Sequence, residues 1–432
     1  METVTQVLVE ILIIIGLSQL VGLGCRWLKQ PLVIGEIIAG IMLGPSLFGF
    51  VAPNLAASLF PAQTVPFLNL LSQIGLIFFM FLVGLELDPK YLRGKIKTAI
   101  LISFLSIFVP FSLGSLLAFI LYPLVSNSNV SFTGFTLFLG AAMSITAFPV
   151  LARIITESHL QGTRLGTLAL TCAAVDDITA WCVLAIAIAV TKAGSTTIAA
   201  VNPANTIVQA LPTVFYSLLY IILMMTLGRR LLQGLSRHYN RTGKLTQFML
   251  SGIYMGVVVS ALITELIGIH LIFGAFLWGV AMPKNPGLVR DLTQKTENFV
   301  ITFLLPIFFA YSGLKTQIGL LDRPELWLLC AEVLGVAIIG KYAGTYIAAR
   351  FTGINHREAS ALGWLMNTRG LTELIVLNIG LDLGVISPLL FTMLVIMALV
   401  TTFMTSPLLE WTYPKRLMQL DILEPEPLES EI

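Results

Sequence analysis

The chain has 432 residues, 56% of them hydrophobic and only 11% charged, with a formal net charge of +2. A soluble domain carries about 25% charged residues, so this composition, with a mean hydropathy of +0.90, excludes an ordinary soluble fold and indicates an integral membrane protein. The near balance of charge is no nucleic-acid signal, because the basic residues lie between apolar segments.

In chain order, apolar segments fall at about 5–25, 31–50, 66–86, 98–123, 133–155, 164–191, 206–228, 246–266, 268–283, 299–314, 326–349, 358–380 and 386–409. A hydrocarbon core needs about 20 apolar residues in a helix, so these predict thirteen spans, 268–283 and 299–314 being the shortest. The first run has acidic Glu2 and Glu10 in place of a basic leader, and is expected to be retained as a span. The tail after Trp411 is acidic and contains proline, and is expected to be disordered. Cys25, Cys172, Cys182 and Cys330 show no CxxC spacing, so no disulfide framework or fixed metal site is expected. GxGxxG and P-loop spacings are absent, and neither an enzyme nor a cofactor is expected.

Lysines and arginines alternate with the spans. Connections after odd-numbered spans hold 18 of them, and those after even-numbered spans hold three, Lys192, Lys315 and Arg323. The positive-inside rule then puts the N-terminus outside or in a lumen and the C-terminus in the cytoplasm.

Charges within spans are expensive and mark ion paths by default. From Leu165 to Thr191, 27 residues carry only two charges, the adjacent Asp176 and Asp177. Lys341 and Arg369 also lie deep in apolar segments. Lys341 is too far from its segment's end to snorkel fully, and pairing with an intramembrane aspartate is the more economical reading. Segment five is interrupted by Ser144, Thr146 and Pro149, and segment twelve by Asn367, Thr368, Arg369, Gly370 and Thr372. Polar breaks seven spans apart predict two inverted six-helix repeats, spans one to six and eight to thirteen, joined by span seven.

Neighbouring aspartates on a helix point about 100° apart, so one can face a cation cavity and the other a neighbouring helix. A carboxylate holds a proton or a metal cation, and each excludes the other; that competition is all that exchange coupling needs. Asp177 with Thr146 and Ser144 supplies hard oxygen donors for a monovalent cation, and Asp176 with Lys341 makes the second pair. Residue types alone leave the order of the two aspartates open. Arg369 and Glu373, four apart, share a helix face and either neutralise each other or organise the broken span. Glu36 is expected to cap or line a cytoplasmic funnel, and Asn367 to bond between helices. Small-residue pairs at Gly35/Ala39, Gly40/Gly44 and Gly340/Gly344 allow close helix contact.

The stretches PLVIGEIIAGIMLGPS, GLIFFMFLVGLELDP, AAMSITAFPVLARIITE, AAVDDITAWCVLA and MNTRGLTELIVLNIG together resemble the monovalent cation:proton antiporter superfamily, in the branch of NapA-like sodium/proton antiporters, plant CHX exchangers and Kef potassium systems. The resemblance implies an all-α polytopic fold of the NhaA/NapA-like kind, with crossed discontinuous helices. It implies a homodimer in membrane lipid, with a dimerisation domain at 1–97 and 244–325. The ion-transport core would be 98–191 and 326–411, with a linker helix in 192–243 and a cytoplasmic tail at 412–432. It makes Asp177 the site where sodium (lithium and potassium being alternatives) and protons compete, and Asp176 the partner of Lys341, with elevator-type alternating access. Asp-Asp is the electrogenic NapA-like pattern, whereas the flanks look closer to CHX. No C-terminal nucleotide-binding domain of the Kef kind is expected. The short tail suits a bacterial or cyanobacterial inner or thylakoid membrane. A potassium/proton exchanger, a channel and a sodium-coupled solute symporter are the alternatives.

Overall fold

The computed structural model describes residues 3–27, 30–86, 96–127, 130–158, 160, 163–195 and 203–414. Lys29, Lys90, Arg93, Lys95 and His159, the side chain of Lys192, and the expected disordered tail from residue 415 on, with Lys415 and Arg416, lie outside that description. Among the described residues all regular structure is helical, as it must be where no water satisfies backbone groups.

The first half contains α1 (Thr3–Trp27), α2 (Leu32–Leu43), the short α3 (Phe48–Val51) and α4 (Pro53–Leu59), α5 (Val65–Glu86), α6 (Ile96–Val125), α7 (Phe132–Ser144), α8 (Phe148–Glu157) and α9 (Arg164–Ser195). Then come α10 (Pro203–Leu223), α11 (Arg229–Thr242), α12 (Gln247–Ile267), α13 (Leu271–Ala281), α14 (Pro286–Phe299) and α15 (Leu305–Lys315). The chain closes with α16 (Pro324–Phe351), α17 (His356–Met366), α18 (Leu371–Asp382) and α19 (Pro388–Thr412). Polar residues punctuate the apolar runs. The hydroxyl of Thr246 accepts from the Met249 amide at the start of α12, and left-handed Gly268 ends it.

Several expected segments differ in form; 299–314, for one, continues from α14 through a π turn, Val300–Leu304, into α15. The run 31–50 is interrupted because Gly44 takes an extended conformation and Pro45 cannot donate to a helix. The run 268–283 contracts to the eleven residues of α13, about 16 Å by helix rise and half a hydrocarbon core. The seventh segment runs on from α10 through a π turn, Met224–Gly228, into basic α11. Segments five and twelve break where expected, between α7 and α8 and between α17 and α18.

Packing falls into two sets. In one, α1 lies on α2, α2 on α15, α5 on α13 and α15, and α12 on α13. In the other, α6 lies on α7, α9 and α16, α16 on α17 and α19, α7 and α8 on α9, and α18 on α19. Ile11, Ile14, Leu43, Leu68, Ile307 and Ala310 form an apolar cluster wholly within the first set. The outer faces of α1 and α12 stay apolar, with Leu12 72% and Leu266 88% exposed, as suits helices whose solvent is lipid.

The small-residue pairs Gly40/Gly44 and Gly340/Gly344 mark close crossings. A Cβ on Gly40 would fall on the Phe309 carbonyl, and one on Gly44 on that of Gly313; those on Gly340 and Gly344 would meet the backbone of Pro110 and Leu105. A Cβ on Gly313 would fall on the backbone of Gly40. Gly313→Ala is therefore expected to force α2 and α15 apart and cost about 1–3 kcal/mol, as overpacking does, read as a lower thermal midpoint of the purified protein. An unaltered midpoint would show that this crossing yields freely.

Candidate ion site

The site forms where the two broken segments meet the middle of α9. Residues 145–147 are non-helical, and Pro149 sits in the first turn of α8, where a missing amide hydrogen costs least. On the other side Gly370 has φ 140° and ψ −125°, a conformation open to glycine but strained for other residues. The Ala147 amide donates to the Thr368 carbonyl at 3.0 Å, joining the two breaks through their backbones. The Thr146 hydroxyl lies 3.0 Å from the Met366 carbonyl and 3.0 Å from Asp176 Oδ2. It has one proton to give them.

Breaking α7 leaves carbonyls at its C-terminal, negative end, and two buried cations meet them. Arg369 donates to Ala142 O at 2.9 Å and Met143 O at 2.5 Å, and pairs with Glu373 at 2.9 Å. Lys341 Nζ donates to Ser144 O at 2.7 Å, Ser106 O at 3.1 Å and Asp176 Oδ2 at 2.8 Å. The close approach of α16 to α6 at Gly340 and Gly344 brings Lys341 to the Ser106 carbonyl. Glu373, in the first turn of α18, suits that helix's positive end.

The two aspartates are equally buried, both 0% exposed, yet their surroundings are opposite. Asp176 accepts from Ser103, from Ser106 at 2.8 Å, from Thr146 and from Lys341. Neither oxygen of Asp177 accepts a hydrogen bond. The indole N–H of Trp181, one turn further along α9, approaches Asp177 without reaching hydrogen-bond geometry. Its ring lies against Phe276 of α13, with centroids 6.2 Å apart.

The expected pairing of Asp176 with Lys341 is therefore present, as is that of Arg369 with Glu373. The grouping of Thr146 and Ser144 with Asp177 is corrected. Thr146 bonds to Asp176, and Ser144 gives its carbonyl to Lys341 and its hydroxyl to Ala141 O at 2.8 Å. Glu36 is buried in α2, with Arg153 of α8 as a charged neighbour. Thr368 contributes its backbone carbonyl, and its hydroxyl lies 3.4 Å from that of Thr405. Asn367 is buried at the second break with both amide atoms free of hydrogen bonds, not the interhelical bond expected of it. Ser103, Ser106 and Trp181 were missed. Hydroxyls three apart within an apolar segment, and an indole four residues after Asp177, were the available signals.

A sequence model described as the transmembrane sodium/hydrogen exchanger matches residues 11–411. The chain belongs to that family. It is 57% identical over 414 residues to the Na(+)/H(+) antiporter NhaS4 of Synechocystis, covering 96% of this chain and 98% of the relative. Cation/H(+) antiporter 17 of Arabidopsis thaliana is 39% identical, and K(+)/H(+) antiporter 1 of Saccharomyces cerevisiae is 35% identical. Those matches take in 94% and 95% of this chain but only 48% and 46% of the relatives. The fold resembles that of the sodium proton antiporter MjNhaP1 from Methanocaldococcus jannaschii, with a TM-score of 0.63 at 14% identity, covering 98% of this chain and 100% of the other. The protein is thus a multi-pass, all-α membrane protein and a secondary active cation/proton antiporter, a transporter and not an enzyme.

Proposed function

We propose that this antiporter exchanges cytoplasmic sodium for external protons at Asp177, electrogenically and by an elevator-type movement. The observation carrying this reading is the contrast between the adjacent carboxylates. Asp176 is matched by a buried lysine and three hydroxyls, while Asp177 is equally buried and neither of its oxygens accepts a hydrogen bond. A buried carboxylate in that position must take a proton or a cation to cross the membrane cheaply. Sodium binds to deprotonated Asp177, the core moves, sodium leaves outward, and protonation of Asp177 permits the return. Protonation of Asp176 with release of Lys341 in the same cycle gives two protons per cation. Sodium is favoured over potassium by the Asp-Asp pattern and by the full-length Synechocystis relative, whose name is that of a sodium/proton antiporter.

The moving parts follow the two packing sets. Among the described residues, eleven helices are long and apolar enough to span. Adding short α13 and the broken α17/α18 pair gives thirteen spans, in two inverted repeats about α10 and α11. The core is then 98–191 with 326–411, and the dimerisation domain 1–97 with 244–325, in a homodimer. By the basic-residue bias, the N-terminus is outside or luminal and the C-terminus cytoplasmic, in an inner or thylakoid membrane.

The seam between the sets supports a conformation open to the cytoplasm. At one end it is tied by Lys315–Asp382 at 2.5 Å and by the Asn378 amide donating to Ser312 Oγ at 2.7 Å. At the other a cavity of about 410 Å³ separates Leu85, Lys284 and Val289 from Phe148, Ala152 and Leu170. Leu170 is two helical turns from Asp177, about 10 Å along α9. Oxidising a Ser312→Cys/Asn378→Cys variant is expected to stop exchange, and reductant to restore it. Full activity in the demonstrably cross-linked protein would count against motion at this seam.

Proton release from reconstituted vesicles, driven by sodium, lithium or potassium with and without an imposed membrane potential, tests the function. Sodium preference with a rate set by potential is expected. Potassium preference overturns the ion choice, and cation flux without proton exchange overturns the mechanism.

A further inference from the structure

A second cavity lies at the cytoplasmic end assigned above, outside the ion site. It has a volume of about 550 Å³, and its lining includes Arg229, Gln233, Ser236 and Arg237 of α11 with Lys284 and Asn285 of the loop before α14. Three of these residues are cations, and no carboxylate is among the lining residues. Arg229 and Arg237 are exposed and make no ion pair among the described residues. The Asp291 carboxylate of α14 is engaged by the Tyr239 hydroxyl at 2.9 Å and by Arg290 at 4.0 Å. Asn285 caps α14 by accepting from the amides of Gly287 and Leu288, and its own amide donates to Asn240 at 2.7 Å. The positive N-terminal end of α14 thus opens beside the same cavity.

The shape of the helix places this cavity relative to the membrane. From Pro203 to Thr242 the helix continues through its π turn, about 60 Å in all and twice the thickness of a hydrocarbon core. Its apolar part ends with exposed Leu223 and Leu227, and the arginines begin at Arg229. The mouth of the cavity therefore lies at headgroup depth, where basic residues next to a spanning helix attract anionic lipid. Arginine, with its forked donors, suits a phosphate.

We propose that this cavity binds a phosphate-bearing anion, supplied by the headgroup of an anionic phospholipid, between α11 and the loop at 283–286. The same loop walls the transport cavity: Lys284 lines both, and its ammonium donates to Gly84 O, Leu85 O and Gly279 O at 2.8–3.2 Å. Occupancy braces the linker helix against the ends of α5 and α13. The cavity's position at the cytoplasmic face rests on the proposed orientation; its ability to bind phosphate does not.

The test is the thermal midpoint of the full-length protein in detergent, with phosphatidylglycerol, phosphatidylcholine or inorganic pyrophosphate added. Phosphatidylglycerol is expected to raise the midpoint by several degrees and phosphatidylcholine to leave it in place. In Arg229→Gln/Arg237→Gln at least half of that shift is lost. Arg230→Gln/Arg241→Gln, which removes equal charge from residues outside the lining, keeps it. Both variants should retain sodium-driven exchange in phosphatidylcholine vesicles, which separates this site from the ion site. Pyrophosphate protection as large as that of the lipid, and lost in the first variant alone, supports the phosphate site and assigns it to a soluble anion. No shift with either anion, or equal shifts in both variants, overturns the proposal.

Discussion

Asp177→Asn is expected to reduce sodium-driven proton exchange to the level of protein-free vesicles while leaving the protein folded. The amide is nearly isosteric but carries no charge to hold a hard cation and no titrating proton to exchange for it. Folding should survive because Asp177 accepts no hydrogen bond, so no buried donor loses its partner. Removing a like charge from beside Asp176 relieves repulsion inside a low-dielectric site, so the thermal midpoint should hold or rise. Sodium-dependent proton flux that persists in this variant would sink the assignment of position 177. A fall in flux accompanied by a collapsed midpoint would point to a structural role instead.

The second large effect is expected on stability. Lys341→Ala strands the Asp176 carboxylate at 0% exposure with only hydroxyl donors, and frees the Ser106 and Ser144 carbonyls from their cation. Breaking a buried pair from one side costs about 3–5 kcal/mol, whereas removing both charges is often close to neutral. Asp176→Asn/Lys341→Ala should therefore recover most of the midpoint lost in Lys341→Ala. The same variants bear on coupling. If protonation of Asp176 on release of Lys341 supplies the second proton, the double variant exchanges one proton per cation and no longer responds to membrane potential. An unshifted midpoint in Lys341→Ala, or full potential dependence in the double variant, would remove this pair from the cycle.

Both predictions depend on a distinction that residue spacing does not contain. Adjacent aspartates on α9 must point in different directions, because a helix turns about 100° per residue. Which of them meets the lysine depends on where α6 and α16 lie around α9. That is set by the glycine contacts at Gly340 and Gly344 and by the break after Ser144, where α7 ends and its carbonyls become available. Thr146 is the clearest case. Its hydroxyl is a reasonable cation ligand by chemistry, but the non-helical backbone of residues 145–147 turns it to Asp176. Ser103 and Ser106 went unnoticed for the same reason: a hydroxyl in a spanning helix usually bonds its own backbone, and only the neighbouring helix shows that these reach across.

By itself the sequence determined that the chain crosses a membrane many times, that two spans break at polar positions, and that four buried charges, Asp176, Asp177, Lys341 and Arg369, need partners or a function. These follow from one-dimensional quantities: hydropathy over a span, the helix-breaking effect of proline and glycine, and the cost of charge in lipid. Only the tertiary structure decided that Asp176 takes the lysine and the hydroxyls while Asp177 accepts no hydrogen bond, and that α13 shrinks to half a span. It alone showed that the helices sort into two sets with a cavity along their seam. Contacts between helices are made by side chains far apart in sequence, and their choice depends on crossing distance and rotation, which no local pattern encodes.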